Sequence, residues 1–212
     1  MKLILLGAPG AGKGTQAEII CDRHGIPAFS TGNILREAVR NATETGLLAK
    51  KYMDEGGLVP DEVVIGVIRE RMQQPDAARG FILDGVPRTV AQAEALEKLG
   101  VDIDLVVNIY VSDEDIVKRL SGRRVCETCG ASYHTVYKPS KQPALCDRCN
   151  GRIIIRKDDE PETILARLDT YHQQTEPLIE FYRSRGKLAE VIGAEELAET
   201  TARVQAALEA IQ

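Results

Sequence analysis

Lys2-Leu3-Ile4-Leu5-Leu6-Gly7-Ala8-Pro9-Gly10-Ala11-Gly12-Lys13-Gly14-Thr15 decides the fold. A short aliphatic run of strand length enters a glycine loop, and a helical pattern follows. Gly7, Gly10, Gly12 and Gly14 let the backbone wrap closely around an anion, because no Cβ blocks the approach. The helix that follows turns its N-terminal N–H groups and its positive dipole end toward that anion. Lys13 adds a mobile ammonium that reaches outer phosphates. The pattern departs from the usual G-x-x-x-x-G-K-[ST] at one place. Gly14 stands where a hydroxyl residue normally supplies a magnesium ligand, and Thr15 comes one place later. A plain glycine turn between strand and helix would require neither the lysine nor the strand before it.

Outward from this loop, strand-length apolar runs recur at Leu3–Leu6, Phe81–Leu83, Leu105–Tyr110 and Leu188–Ile192, with a weaker fifth at Pro27–Phe29. Between them, apolar residues fall at helical spacing. Ala17, Ile20 and Cys21 form one stripe, with Cys21 expected as a small buried hydrophobe. Val63, Val64, Val67, Ile68 and Met72 form another, opened by Pro60-Asp61. Short aliphatic strands alternating with helices predict a parallel sheet covered on both faces. Such sheets bind ligands at the carboxyl ends of their strands, where the glycine loop sits. Two segments interrupt the alternation. Ser30 to Val59 reads as a helical insertion ending near Gly56-Gly57. Gly122 to Asp159 holds four of the five cysteines, lacks a helical stripe, and reads as an inserted mini-domain of turns and short strands.

The chain has 212 residues, enough for one well-buried domain with inserts. Apolar residues make up 43% and charged residues 28%, with no tryptophan and three phenylalanines, so the core is aliphatic. No apolar run approaches the roughly 20 residues that span a bilayer. The first apolar stretch leads straight into the glycine loop, which reads as a strand and not a secretory signal. A cytoplasmic location is the resulting expectation, with no membrane partner. The net charge of −5 argues against a general nucleic-acid binder. It leaves room for a polyanionic small molecule if arginines converge in a cleft.

Cys126-Glu127-Thr128-Cys129 and Cys146-Asp147-Arg148-Cys149 are two C-x-x-C knuckles. Their spacing fits a four-cysteine zinc site. A site filled by four sulfurs has no open coordination position, so its role is structural. It would hold together an insert too small for a core of its own. A cytoplasmic setting disfavours disulfides, and a redox C-x-x-C needs one pair only. Iron remains the alternative metal. A zinc ribbon also raises nucleic-acid binding, against which the phosphate loop and the acidic charge balance weigh.

Phe81-Ile82-Leu83-Asp84-Gly85-Val86-Pro87-Arg88 is the second chemical signature. An apolar strand ends in a carboxylate, where a second strand of a P-loop fold would deliver one to a nucleotide's magnesium. Arg88 follows in a Gly/Pro turn. With these motifs in place, the chain resembles the adenylate kinases in their zinc-bearing bacterial form. The resemblance spans essentially the whole length. It rests on Gly7–Thr15; Ser30-Thr31-Gly32-Asn33-Ile34-Leu35-Arg36; Asp84–Arg88 with Gln92; Gly122-Arg123-Arg124-Val125; and Arg156-Lys157-Asp158-Asp159 leading to Arg167.

The resemblance implies reversible phosphoryl transfer from MgATP to AMP, giving two ADP. It implies an α/β fold with a P-loop core of five parallel strands (1–29, 60–121 and 160–212), an AMP-binding insert (30–59) and a zinc-bearing lid over ATP (122–159). Gly10, Ala11, Gly12, Lys13, Gly14 and Thr15 would cradle the ATP phosphates. Arg119 would lie against the adenine, and Arg123 with Ser132-Tyr133 would reach ATP from the lid. Thr31, Arg36, the Gly57-Leu58-Val59 backbone, Gly85, Val86, Pro87, Arg88 and Gln92 would hold AMP. Arg156 and Arg167 would span both nucleotides. Glu195 falls at a main-chain contact to the ATP adenine. Asp84 would act on Mg²⁺ through its water shell, and Cys126, Cys129, Cys146 and Cys149 would hold Zn²⁺. Two positions depart from the family pattern: Val86 replaces a phenylalanine, and Asn33 replaces an aspartate able to pair with a lid arginine.

The chemistry agrees with this residue set. The nucleophile is already an anion, so no general base is required, and His24, His134 and His172 lie outside the motifs of the reaction centre. The difficulty is to bring two polyanions into line, which positioning and fixed positive charge overcome. Lys13 and the guanidinium groups of Arg88, Arg123, Arg156 and Arg167 are the expected catalytic set, with Arg36 beside them; arginine grips phosphate by two hydrogen bonds. The alternatives are a kinase for UMP, CMP or GMP and a zinc-ribbon binding module. A GTP switch would need an Asn-Lys-x-Asp guanine reader, which is absent. Inserts on both sides leave little free face, so a monomer is expected.

Overall fold

The structure, a computed structural model, describes residues 1–210. Its centre is β1 (Lys2–Leu6), with β2 (Ala28–Ser30), β3 (Phe81–Asp84), β4 (Leu105–Tyr110) and a last strand at Leu188–Ile192. These five form one parallel sheet in the order β2-β3-β1-β4 followed by the last strand. The weak fifth run expected at 27–29 is a strand displaced by one residue.

Alternation along the strands explains the two-sided core. Leu3 and Leu5 of β1 join a cluster with Ile20, Ile116, Ile164 and Val204. Ile4 and Leu6 point to the opposite face and join Val64, Ile68, Leu96 and Leu178. Successive strand side chains face opposite ways, so a strand covered on both faces reads as an unbroken apolar run. Truncation of Leu5, 1% exposed, to alanine would cost about 2–5 kcal/mol.

The covering helices are α1 (Lys13–His24), α4 (Asp61–Met72), α5 (Val90–Lys98), α6 (Asp113–Gly122), α7 (Pro161–Thr170), α8 (Pro177–Arg183) and α9 (Leu197–Glu209). Val64 and Ile68 bury the inner face of α4, while Val63, Val67 and Met72 flank it half-buried. Ala17 and Ile20 of α1 are buried; Cys21 is half-buried and reaches the cavity wall, less enclosed than expected. Between β2 and α4 lies the helical insertion, α2 (Thr31–Arg40) and α3 (Glu44–Asp54). Between α6 and α7 lies a three-stranded antiparallel sheet of β5 (Arg123–Cys126), β6 (Ser132–His134) and β7 (Ile153–Ile154), in the order β6-β5-β7. The last strand of the large sheet is therefore β8.

β1 is the point where the strand order turns. The chain runs from it to β2 and β3 on one side and to β4 and β8 on the other. The crevice beyond its carboxyl end is where ligands bind in such sheets.

Candidate functional site: a phosphate loop ringed by cations

The glycine loop leaves β1 at this switch point. Gly7 has φ +136°, and a Cβ there would collide with the Ile109 carbonyl oxygen. Gly12 has φ +101° with open space around it, so its requirement is conformational. Gly12 is also the residue preceding α1, and no side chain caps that helix. No acidic residue lies in its first turn. The N–H groups there face the crevice with a positive partial charge and no internal carboxylate to quench it.

Lys13 folds back across the loop. Its Nζ donates to the carbonyl oxygens of Gly7 at 2.6 Å and Ala8 at 2.8 Å. Burial, opposed by Asp84 but reinforced by Arg88, Arg167 and Arg123, lowers its pKa to about 8. Asp84 ends β3 directly beside Leu5 of β1 in the parallel register. Its Oδ2 lies 3.7 Å from where a Cβ on Gly14 would stand. The glycine after Lys13 therefore faces the carboxylate across a small open space. That arrangement suits a hydrated magnesium ion held by the carboxylate through water.

One cavity of about 1070 Å³ collects the remaining groups. Lys13, Arg36, Arg88, Arg119, Arg123, Arg156 and Arg167 all line it, from the core sheet, the helical insertion and the small sheet alike. Burial and mutual repulsion press on these groups. Arg36 is lowered to about 10, first by burial and then by Arg123 and Arg167 against the pull of Asp158. Arg156 is lowered to about 9 by burial, Arg36 and Arg123. Seven cationic side chains thus share one cavity, a concentrated positive site inside an acidic protein.

Asp158 and Asp159, quoted in the sequence only as neighbours of Arg156, balance this charge. Arg123 grips Asp159 with two donors, Nε at 2.7 Å and Nη2 closer still. Arg167 Nη1 donates to Asp159 Oδ1 at 3.0 Å and lies 3.3 Å from Asp158 Oδ2. Burial pushes the Asp158 carboxyl up, but Arg167, Arg36, Arg156 and Arg123 pull it below the ordinary aspartate value. The visible signal in the sequence was an acidic pair beside an arginine; which cations it would meet was not readable from spacing.

Thr31 Oγ1 donates to the Gly85 carbonyl at 2.8 Å, joining the start of α2 to the turn after β3. Arg88 Nε donates to the same carbonyl at 3.0 Å. Thr175, which the sequence did not single out, anchors the Arg88 carbonyl at 2.8 Å. Gln92, Gly57, Leu58, Val59, Gly85 and Pro87 line the cavity. Val86 does not: its side chain is 1% exposed and packs in the second core cluster. Asn33 accepts from Arg36 at 2.8 Å within α2. Arg119 donates to the Ala194 carbonyl at 2.7 Å and so sits beside Glu195 at one end of the cavity. Gly10, Ala11, Thr15, Ser132 and Tyr133 also line it. His24 and His172 stand apart from the cavity lining, whereas His134 lines it from the small sheet, next to Gly122.

The four knuckle cysteines converge. Their sulfur atoms lie within 4.8 Å of one another, with Cys126–Cys149 and Cys129–Cys146 both at 3.5 Å. These distances exclude disulfides, whose sulfurs are about 2.05 Å apart. They approach the edge of roughly 3.8 Å expected for four thiolates around zinc at about 2.3 Å. The Tyr133 hydroxyl, 3.3 Å from Cys146 Sγ, holds that thiol down to about 6 and is itself pushed up to about 12. Four converging sulfurs around a cluster of only Cys126, Ala131, Tyr133 and Cys146 fit a structural zinc.

The profile of the family described as Adenylate kinase matches residues 5–187. An Adenylate kinase of Caldicellulosiruptor saccharolyticus is 57% identical, over 98% of this chain and 99% of that protein. Those of Acetivibrio thermocellus and Archaeoglobus fulgidus are 53% and 52% identical over the full length of both chains. Likeness of this extent runs through the loop, both inserted segments and the closing helices, and on it the chain belongs to the adenylate kinase family.

Proposed function

We propose the following division of labour for the reaction of this family, the reversible transfer of the terminal phosphoryl group of MgATP to AMP to give two ADP. The loop Gly10–Thr15 and the start of α1 bind the ATP phosphates, and Arg119 lies against the adenine beside Glu195. Arg123 and the Ser132-Tyr133 turn reach ATP from the lid. Thr31, Arg36, the backbone of Gly57, Leu58 and Val59, the turn Gly85–Arg88 and Gln92 hold AMP. Val86 contributes its backbone only. Arg156 and Arg167 bridge the two nucleotides. Segments 30–59 and 122–159 are the closing parts on a core of 1–29, 60–121 and 160–212.

Asp84 would hold magnesium through its water shell on the ATP side, where the ion would supply neutralising charge to the terminal phosphates. The protein's own part is electrostatic and positional. Lys13 exchanges the Gly7 and Ala8 carbonyls for phosphate oxygens. Arg123 and Arg167 exchange Asp159 for the transferring group, so carboxylates keep the cations in place until phosphates arrive. Planar guanidinium forks match the equatorial oxygens that carry the spreading charge. Closing the two segments excludes water, the competing acceptor. The zinc tetrad has no open ligand position and stands outside the chemistry.

The observation that carries this reading is the gathering of Lys13, Arg36, Arg88, Arg123, Arg156 and Arg167 around one cavity at the phosphate loop. A coupled assay of ADP formation from MgATP and AMP tests it. Lys13→Ala and Arg88→Ala are expected to retain the fold and to lose at least about 100-fold in kcat, the scale of a removed charge-stabilising donor. Folded variants with near-native rates would overturn the assignment. Rates with UMP, CMP and GMP beside AMP test selectivity, and a binding-only zinc module would show no turnover. Within the same proposal the protein acts as a cytoplasmic monomer that binds neither nucleic acid nor membrane. The net charge of −5 weighs against a general nucleic-acid binder, and among the described residues no helix is long and apolar enough to cross a membrane.

A further inference from the structure

Asp61, the first residue of α4, is not among the described residues that line the cavity. Its carboxylate nevertheless holds one that is. Gln92 Nε2 donates to Asp61 Oδ1 at 2.7 Å, and Thr89 Oγ1 donates to Asp61 Oδ2 at 3.1 Å. At its other end, Gln92 Oε1 accepts from the Arg88 N–H at 2.7 Å. The Gln92 N–H donates to Thr89 Oγ1 at 3.1 Å, which caps α5. Gln92 is 1% exposed.

The chemistry of these partners fixes which way the carboxamide faces. A backbone N–H only donates, so the atom facing Arg88 is an oxygen. An ionised carboxylate only accepts, so the atom facing Asp61 is the nitrogen. Turning the amide by half a revolution would set N–H against N–H and oxygen against carboxylate in a buried place, losing two hydrogen bonds and leaving four polar groups opposed. After both contacts are made, one hydrogen remains on Nε2 and one lone pair on Oε1.

That remaining pair is an acceptor beside a donor in a fixed order. Adenine offers the complement, an exocyclic N6–H donor beside a ring-nitrogen acceptor, and carboxamides read adenine in this way. A 6-oxopurine offers O6 as acceptor beside N1–H as donor. The spacing is the same and the polarity is reversed, so it matches only the turned amide.

We infer that Asp61 is a positioning residue for purine selection: by fixing the Gln92 carboxamide it commits the monophosphate site to a 6-aminopurine and against a 6-oxopurine. The inference rests on the proposed role of Gln92 in holding AMP, and sets its carboxamide against the base. It assigns the discrimination to a residue that touches no substrate.

The experiment compares kcat/KM for AMP and for inosine monophosphate, which has adenine's shape with a 6-oxo group, at saturating MgATP. Asp61→Ala is expected to lower the AMP-to-IMP ratio at least tenfold. Asp61→Asn keeps an acceptor for Nε2 and gains an amide that donates to Thr89 Oγ1, and it is expected to hold the ratio within threefold of the wild type. A purely structural role at the start of α4 would lower Tm and move both substrates together. An unchanged ratio in folded Asp61→Ala therefore overturns the inference. If that variant does not fold, Asp61→Ser retains a small polar residue at the helix start without reaching Gln92, and the same two outcomes apply. Gln92→Ala separates the layers. An unchanged ratio and AMP KM there would overturn the placement of Gln92 itself, whereas loss of the ratio in Gln92→Ala with none in Asp61→Ala would overturn the role of Asp61 alone.

Discussion

At the scale of single residues, Lys13 is buried among the cations of the cavity, and its pKa lowered to about 8 has a consequence for binding. In the empty site, burial and neighbouring guanidinium groups disfavour its proton. ATP phosphates placed against it reverse that balance and raise the pKa. Where the bound form has the higher pKa, binding takes up protons between the two values, and little below the lower one. At pH 8.5 the free protein lacks up to about three quarters of a proton at Lys13, which ATP restores. Calorimetry in two buffers of different ionisation enthalpy is expected to show this uptake at pH 8.5, and to show it vanish in Lys13→Gln. Equal proton linkage in both proteins would place the titration elsewhere. Asp159 yields a second expectation. It is held by both Arg123 and Arg167 with its side chain fully buried. Replacing it by asparagine leaves Arg123 without its paired carboxylate and Arg167 with Asp158 alone, at a cost of about 3–5 kcal/mol to the nucleotide-free protein. A bound bisubstrate analogue supplies the missing negative charge and should recover much of that loss; equal destabilisation with and without the analogue would contradict the stand-in role.

At the scale of elements, the large sheet was legible because its strands are covered on both faces, and a run such as Leu3–Leu6 has few other readings. The phosphate loop was legible because its glycines and lysine are adjacent in the chain. Asp61, Thr175 and the Asp158–Asp159 pair were opaque as site elements, since their roles arise from partners 28 to 87 residues away in the chain or from charge gathered across three segments, and neither period nor spacing encodes such a meeting. The small sheet is an intermediate case. Its knuckles announced a metal, while its strands are too short, at two to four residues, to carry a pattern. With Cys126, Ala131, Tyr133 and Cys146 as its whole buried cluster, this element depends on its sulfur tetrad for cohesion. A chelator strong enough to strip zinc is expected to raise hydrogen exchange across 123–154 and to lower Tm by roughly 6–12 °C if the site contributes ~3 kcal/mol. Turnover at low temperature should fall far less. Loss of turnover with Tm and exchange unchanged would mean that the metal serves the chemistry directly.

At the scale of the whole molecule, the segments proposed to close over the cavity are already in contact. Arg40 of α2 donates from Nη1 to the carbonyls of Glu127 and Thr128 in the first knuckle, each at 3.2 Å. Lys157 meets Asp54 of α3 at 2.9 Å, and Arg148 of the second knuckle meets Glu18 of α1 at 3.1 Å. On the proposed closure, the first two contacts form only while the segments lean together and the third only while the second knuckle leans on the core, so they would bias the balance between closed and open forms without touching the reacting groups. Each is solvent-exposed; two are ion pairs and Arg40 donates to carbonyls, and exposed contacts of either kind contribute about 0.5–1 kcal/mol. Removal of one therefore shifts that balance by roughly two- to fivefold. In Arg40→Ala the closed form is less populated before substrate arrives, so KM for both nucleotides is expected to rise two- to fivefold. Opening after transfer becomes easier, so kcat should hold or increase where product release limits the rate. Tm should stay near the wild-type value, because Arg40 is half-exposed and lies outside both large apolar clusters. Steady-state kinetics over a range of salt checks the argument: Arg40 donates to carbonyls, so its effect should persist at an ionic strength that screens the Lys157–Asp54 and Arg148–Glu18 ion pairs. A hundredfold fall in kcat, with KM unmoved, would show instead that Arg40 belongs to the transition-state machinery and that closure is governed elsewhere.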